Sequence, residues 1–294
     1  MKLALGTAQF GLNYGISNTM GVTISEEVKR ILEFAYQKGI TLLDTAPAYG
    51  TSEETLGNSL PDPHNFLIVT KTPTFRKTRI YSSDGQYLKE TLHTSLNRLK
   101  QSSLYCLLIH HADNLFLPNG DILWEAMEEI KAAGLVKKIG VSVYSPQQID
   151  KILEQYSPDV IQAPINVLDQ RLIKAGYLAI LKKQGIEIHN RSVFLQGLLL
   201  MPVEEMPDYF NPFKPMLAHY QESIKEKGVS PLKAALGFVY CLPDIDYIIV
   251  GVNNKDHLEE IIASVSNIDT LERLDFSEFA IDDERLVNPS LWKV

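Results

Sequence analysis

The chain has 294 residues, 45% of them hydrophobic and 22% charged, a balance that excludes a disordered, collagen-like or coiled-coil protein. Its 28 Lys and Arg against 36 Asp and Glu give a formal net charge of −8. The densest basic stretch is Arg76–Lys77–Thr78–Arg79, too short for the basic stripe of a nucleic-acid binder. No run approaches the roughly eighteen apolar residues of a membrane-spanning helix, and the apolar run after Lys2 is too short for a secretory signal core. The expectation is a cytoplasmic protein with no membrane or nucleic-acid partner. Cys106 and Cys241 lie far apart in apolar surroundings and read as two buried thiols, with neither metal-ligand spacing nor a disulfide framework.

The predicted elements alternate from the start. A strand over 3–5 precedes a helix over 26–38, in which Val28, Ile31, Leu32 and Ala35 share one face. Ser25 suits its N-cap, and Glu26 and Glu27 suit the positive end of its dipole. Strands follow at 40–43, 66–70, 104–109, 137–141, 159–162, 186–190 and 246–250. Helices fall near 52–60, 86–100, 121–133, 146–155, 170–183, 216–227, 231–241 and 254–264. Eight strand–helix alternations predict a single α/β domain over 1–294, a closed (β/α)8 TIM barrel. The rival is an open doubly wound sheet, but Gly6, Gly11 and Gly15 do not make the glycine spacing that such a sheet carries after its first strand. The proline-rich stretch 202–215 reads as a loop over one barrel end, either a plain connection or a wall of a substrate mouth. The tail 269–294 is acidic, and its Phe276, Phe279, Leu286 and Trp292 are expected to pack on the barrel.

Barrel chemistry sits past the C-terminal ends of the strands. Polar residues stand there after almost every apolar run: Asp44, Lys71, His110 and His111, Ser142, Gln162 and Asn166, Arg191 and Ser192, then Gly251 and Asn253. A carboxylate, a lysine, a tyrosine and a histidine in such places form a proton-handling set. A tyrosine near pKa 10 is a poor acid at neutral pH. A lysine about 4 Å away is worth roughly 4 kcal/mol at an effective dielectric near 20, or about 3 pKa units toward the phenolate. A buried lysine in turn needs a carboxylate to stay charged, which Asp44 can supply, and a neighbouring histidine can donate to a carbonyl oxygen.

The stretch Asp44-Thr45-Ala46-Pro47-Ala48-Tyr49-Gly50-Thr51-Ser52-Glu53 through Leu56-Gly57, then Thr70-Lys71 and Leu107-Leu108-Ile109-His110-His111-Ala112-Asp113, resembles the aldo-keto reductase family, in order along the chain. The resemblance implies a barrel that binds NADPH or NADH without a separate nucleotide domain and reduces an aldehyde or ketone, or runs the reverse. It implies a catalytic tetrad of Asp44, Tyr49, Lys71 and His110, with Tyr49, His110 and His111 also touching substrate. It places Gly6, Thr7, Ala8, Asp44, Ser142 and Gln162 along the nicotinamide, together with Arg191, Ser192, Leu195, Gln196 and Gly197. Gly251, Val252, Asn253, His257 and Glu260 are similar to the adenosine-phosphate segment.

The chain departs from the family pattern at several points. Val143 stands where an asparagine is usual, Ile165 where an aromatic is usual, and Arg191 where a ring often stacks on nicotinamide. That arginine reads as a stacking partner, as a contact for an anionic substrate or as one for the cofactor pyrophosphate. Gly251 and His257 replace basic residues common in NADPH-specific members, with Lys255 as a candidate to compensate. The cofactor expectation is NADPH/NADP+ first and NADH/NAD+ second, and the substrate is expected to be a small polar, sugar-like carbonyl compound. No metal is expected, because adjacent histidines such as His110 and His111 are expected to point apart. The alternatives are a cofactor-binding redox sensor or regulatory subunit on the same barrel and, further off, a metal-dependent barrel enzyme.

Overall fold

A computed structural model describes residues 1–61, 64–266 and 274–293. Eight parallel strands run β1 (Leu3–Gly6), β2 (Leu42–Asp44), β3 (Leu67–Lys71), β4 (Leu104–Ile109), β5 (Val136–Ser142), β6 (Val160–Pro164), β7 (Glu187–Arg191) and β8 (Tyr247–Gly251). Each pairs with the next, and β8 closes on β1 through Leu3↔Ile248 to Gly6↔Gly251. The TIM barrel predicted from the alternation is therefore the fold. Among the described residues no helix is long and apolar enough to cross a membrane.

The helices are α1 (Ser25–Gln37), α2 (Ser52–Ser59), α3 (Ser82–Leu99), α4 (Asp121–Ala132), α5 (Pro146–Gln155), α6 (Arg171–Lys174) and α7 (Tyr177–Lys183). Then come α8 (Lys214–Glu226), α9 (Pro231–Tyr240), α10 (Lys255–Val265) and α11 (Glu284–Val287). The face expected for α1 is the buried one. The helix predicted over 170–183 is two helices, because Gly176 turns at φ +75, a left-handed conformation that glycine takes without steric cost. The stretch 202–215 holds two single 3-10 turns, and α8 starts inside it with Pro215 in its first turn, where the missing N–H has no intrahelical partner to lose.

Period-two alternation divides the strand residues. Ala4, Leu42, Val69, Cys106, Leu108, Val160 and Ile249 form one apolar cluster. Their chain neighbours, among them Leu5, Leu43, Ile68, Leu107, Ile161 and Val250, belong to the larger cluster that includes the helix faces. A third cluster covers one rim, joining Leu168, Leu195, Phe210, Leu217 and Tyr220 to Phe276, Phe279 and Leu286. The Trp292 ring meets that of Phe210 edge-on at 4.9 Å. Of the tail expected from 269, residues 269–273 and 294 lie outside the described residues. Cys106 is buried as expected, but Cys241 is exposed, because it stands just past α9, where the chain leaves the core.

Candidate active site

The tetrad residues are positioned by the strand ends and by one tight turn. Asp44 ends β2, Lys71 ends β3, and His110 follows β4. Tyr49 lies in the turn before α2, and Gly50 makes that turn at φ +59. A Cβ on Gly11 would fall 2.1 Å from the Tyr49 carbonyl oxygen, and one on Gly50 would fall 2.3 Å from the Gly11 carbonyl oxygen. Two glycines thus allow the β1–α1 and β2–α2 loops to touch backbone to backbone. Ser52 locks the contact by donating to the Thr7 carbonyl at 2.7 Å. Glu53 accepts from Thr70 at 2.7 Å, tying α2 to β3.

Lys71 is buried. Its Nζ donates to Asp44 Oδ1 at 2.6 Å and to the Thr45 carbonyl at 2.9 Å. Asp44 Oδ2 accepts from Gln162 Nε2 at 2.8 Å. The Lys71 ammonium stands 4.9 Å from the Tyr49 ring centroid, and the His110 ring meets Tyr49 edge-on at 6.0 Å.

Burial works against the Lys71 charge, but Asp44 and Tyr49 outweigh it and hold the ammonium above its ordinary pKa. Burial pushes Tyr49 up; Lys71 pulls it down and Asp44 pushes it up again, leaving the phenol above its ordinary value. The net lowering expected from a neighbouring lysine is thus absent, because burial outweighs the ammonium's pull and Asp44 opposes that pull further. The phenol is held in its proton-bearing form. Burial, reinforced by the Lys71 charge, holds His110 down at about 2, so its ring is neutral at physiological pH. The rings of His110 and His111 do not point apart: they stack at 4.8 Å, 24° from parallel. The reason is local, since β4 ends at Ile109 and strand alternation ends with it. Among the described residues no three His, Cys, Asp or Glu side chains gather as a metal site.

These groups open into one cavity of about 670 Å³, within the usual range for a small-molecule site. It brings together Gly6, Thr7, Ala8, Asp44, Tyr49, Lys71, His110, Ser142, Gln162, Arg191 and Ser192. Gln196, Gly197, Gly251, Asn253, His257 and Glu260 of the expected set line it as well. Leu195 and Val252 do not line it; both are buried in apolar clusters. His111 is outside the lining too, half-buried against His110. Lys255 is engaged elsewhere, paired with Glu259 at 2.9 Å and over the Phe34 ring at 4.9 Å. Its backbone N–H at the start of α10 is taken by Glu27 at 2.7 Å.

Sequence reasoning missed Gln9, Tyr14, Ser17, Asn18, Tyr144 and Ser290, which also line the cavity. The first four arrive because the β1–α1 loop crosses to the β7 side, where Ile16 N–H donates to the Gln196 carbonyl at 3.1 Å. Glycines were the available signal. A Cβ on Gly197 would fall 1.8 Å from Ser17 Oγ, and one on Gly251 would fall 2.5 Å from Gln9 Nε2. Gly251, the residue noted as replacing a basic one, therefore makes room for Gln9. Three non-glycine residues of the β7 loop, Ser192, Leu195 and Gln196, hold φ of 62, 49 and 55, backbone strain of the kind that gathers at ligand sites. Gln9 Oε1 and His110 Nδ1 are buried with no hydrogen-bond partner among the described residues. An acceptor left in that state is one that a bound ligand's donor can satisfy.

A polar cavity at the C-terminal mouth of a closed parallel barrel defines a barrel enzyme site. The model of the aldo/keto reductase family matches residues 2–280, and the chain belongs to that family. Its class is thereby NAD(P)H-dependent oxidoreduction of carbonyl compounds. L-Galactose dehydrogenase from Arabidopsis thaliana is 23% identical, over 87% of this chain and 83% of its own. NADH-specific methylglyoxal reductase from Escherichia coli is 23% identical, over 81% and 82%. The holo form of aldo-keto reductase AKR11C1 from Bacillus halodurans shares the fold with a TM-score of 0.74 at 20% identity, covering 97% of this chain and 94% of that one.

Proposed function

We propose that the chain reduces a small polar, sugar-like carbonyl compound, or oxidises the alcohol, in the cytoplasm, with Tyr49 as the proton donor. The observation that carries this reading is the set itself. Tyr49, His110, Asp44 and Lys71 line one cavity, with Lys71 hydrogen-bonded to Asp44 and its ammonium 4.9 Å from the Tyr49 ring centroid. A bound nicotinamide cofactor supplies or accepts the hydride. Ser142 and Gln162, which line the cavity, would hold its carboxamide, and Asn253, His257 and Glu260 its adenosine end. Neutral His110 donates to the carbonyl oxygen. As carbon gains hydride, Tyr49 passes its proton to that oxygen, and the resulting phenolate is stabilised by the Lys71 ammonium. Solvent returns the proton. Asp44 keeps Lys71 charged and aimed, and Gln162 keeps Asp44 aimed.

The resemblance favours NADPH, but the only Lys and Arg among the described cavity residues are Lys71 and Arg191, at the Tyr49 end. Because Lys255 is paired with Glu259, His257 is the one titratable basic side chain that the described cavity residues offer a 2′-phosphate away from the Tyr49 end. We therefore expect both cofactors to bind, with dissociation constants within about tenfold. A side-by-side fluorescence titration with NADPH and NADH tests this, followed by turnover of glyceraldehyde. Binding of neither at millimolar concentration would overturn the proposal. Binding without turnover across a broad carbonyl panel would favour the regulatory reading.

A further inference from the structure

We propose that Arg191 forms a subsite for an anionic group, a carboxylate or phosphate, carried by the carbonyl substrate. The proposal rests on the carbonyl-reduction reading and narrows its substrate class.

Arg191 ends β7 and lines the cavity. Its guanidinium lies over the Tyr144 ring at 4.1 Å, with Nη2 donating to the Val143 carbonyl at 2.9 Å and Nη1 to Ser192 Oγ at 3.1 Å. All three partners are neutral. They fix the plane of the group and leave its charge standing, with three of its five N–H donors unspent. No carboxylate pairs with it among the described residues, in contrast to Arg171 nearby. Arg171 meets Asp169 at 2.8 Å and donates to the Tyr144 carbonyl at 2.9 Å, so it braces the ring on which Arg191 rests.

The charge balance of the cavity points the same way. Lys71 is offset by Asp44, His110 is neutral, and Glu260 stands on α10, with the adenosine end. The Tyr49 end therefore carries one uncompensated positive charge in a protein whose net charge is −8. That charge is felt by Tyr14, Tyr49 and His110, which line the cavity, and by His111, stacked on His110. A planar cation held flat and half-buried, with donors to spare, is suited to a carboxylate or phosphate, which it can meet with two parallel hydrogen bonds. A neutral substrate leaves it desolvated and unmatched.

The test compares charged with neutral aldehydes at saturating cofactor: 3-formylbenzoate with its isostere 3-formylbenzamide, and glyceraldehyde 3-phosphate with the unphosphorylated glyceraldehyde. In the wild type, the kcat/KM of at least one charged member should exceed that of its neutral partner by at least tenfold, with most of the difference in KM. The pair with the larger ratio identifies carboxylate or phosphate. In R191Q the charged-to-neutral ratio should fall at least tenfold, and R191K should recover part of it. Direct binding of benzoate and inorganic phosphate, against benzamide, is measured by calorimetry on the cofactor-bound wild type and R191Q. If no aldehyde is reduced, the reduction reading fails, while loss of anion binding in R191Q still supports the subsite. Ratios near one in the wild type, or equal losses on charged and neutral substrates in R191Q alongside weaker NADH and NADPH binding, would overturn it and assign Arg191 to the cofactor.

Discussion

The barrel holds two sets of a carboxylate, a lysine, a tyrosine and a histidine, one at its C-terminal mouth and one toward the other end. At the C-terminal strand ends stand Asp44, Lys71, Tyr49 and His110; in the N-terminal halves of β4, β5 and β7, or midway along β7, stand Glu187, Lys138, Tyr105 and His189, with glutamate in place of aspartate. In the second set one carboxylate takes every partner. Glu187 lies 2.6 Å from His189 Nε2 and accepts from Lys138 at 2.5 Å and from Tyr105 at 2.9 Å. Burial opposes its charge, yet the donors, His189 and Lys138 first, hold it down at about 2. The Tyr247 ring covers His189 at 5.1 Å, and none of the four lines the cavity. In the first set Asp44 takes Lys71 and Gln162, while Tyr49 and His110 remain on the cavity wall. Composition is shared; what differs is whether a tyrosine and a histidine keep hydrogen-bonding capacity where a ligand can reach it.

The largest effect expected from this contrast is at the lysines. Lys71→Met leaves Asp44 buried without its charge partner, at a cost of about 3–5 kcal/mol, and turnover should fall at least a hundredfold. Lys138→Met should lower stability while keeping kcat within about twofold. Urea unfolding and steady-state kinetics on both variants check the pair, and equal losses of turnover would break the comparison.

Next in size is Glu187→Gln, expected to cost about 2 kcal/mol at pH 7 once solvent screening at this half-buried site is allowed for, with kcat unchanged. The sign follows from a depressed pKa. The stabilisation is present above the ordinary carboxylate value and is lost as pH falls toward about 2. The gap in urea midpoint between wild type and variant should therefore narrow from pH 6 to pH 3; a gap independent of pH would contradict the assignment.

The smallest effect is a flat line. With His110 held at about 2 and Tyr49 above its ordinary value, kcat/KM for reducing an uncharged carbonyl should show no inflection between pH 5 and 8. It should fall only on the alkaline side, as the phenol loses its proton. An inflection near pH 6.5 would mean that His110 titrates.

Much of the barrel was legible because parallel strands buried on both faces read as short apolar runs, as in Leu104–Ile109, and because α1 repeats its apolar residues at helical spacing. The break at Gly176 was less legible, since a glycine inside a helical pattern marks a left-handed turn only when its φ is known. The tetrad was legible through its resemblance and its place at strand ends. Tyr14 and Gln9 were not, because what brings them to the cavity is a loop that crosses to Gln196 and packs against Gly251, far away in sequence. The Glu187 cluster was invisible for the same reason, its Lys138 partner being 49 positions away. The Lys255–Glu259 pair, by contrast, has ordinary i, i+4 helix spacing and could have removed Lys255 from the cofactor site at the outset.

The most direct test sets one tyrosine against the other. Tyr49→Phe and Tyr105→Phe are compared with wild type in NADH- and NADPH-dependent reduction of glyceraldehyde, after cofactor titration shows that each still binds. The expected result is a fall of about 10²–10⁴ in kcat for Tyr49→Phe and a change within about twofold for Tyr105→Phe. Wild-type turnover by Tyr49→Phe would contradict the assignment of the proton donor.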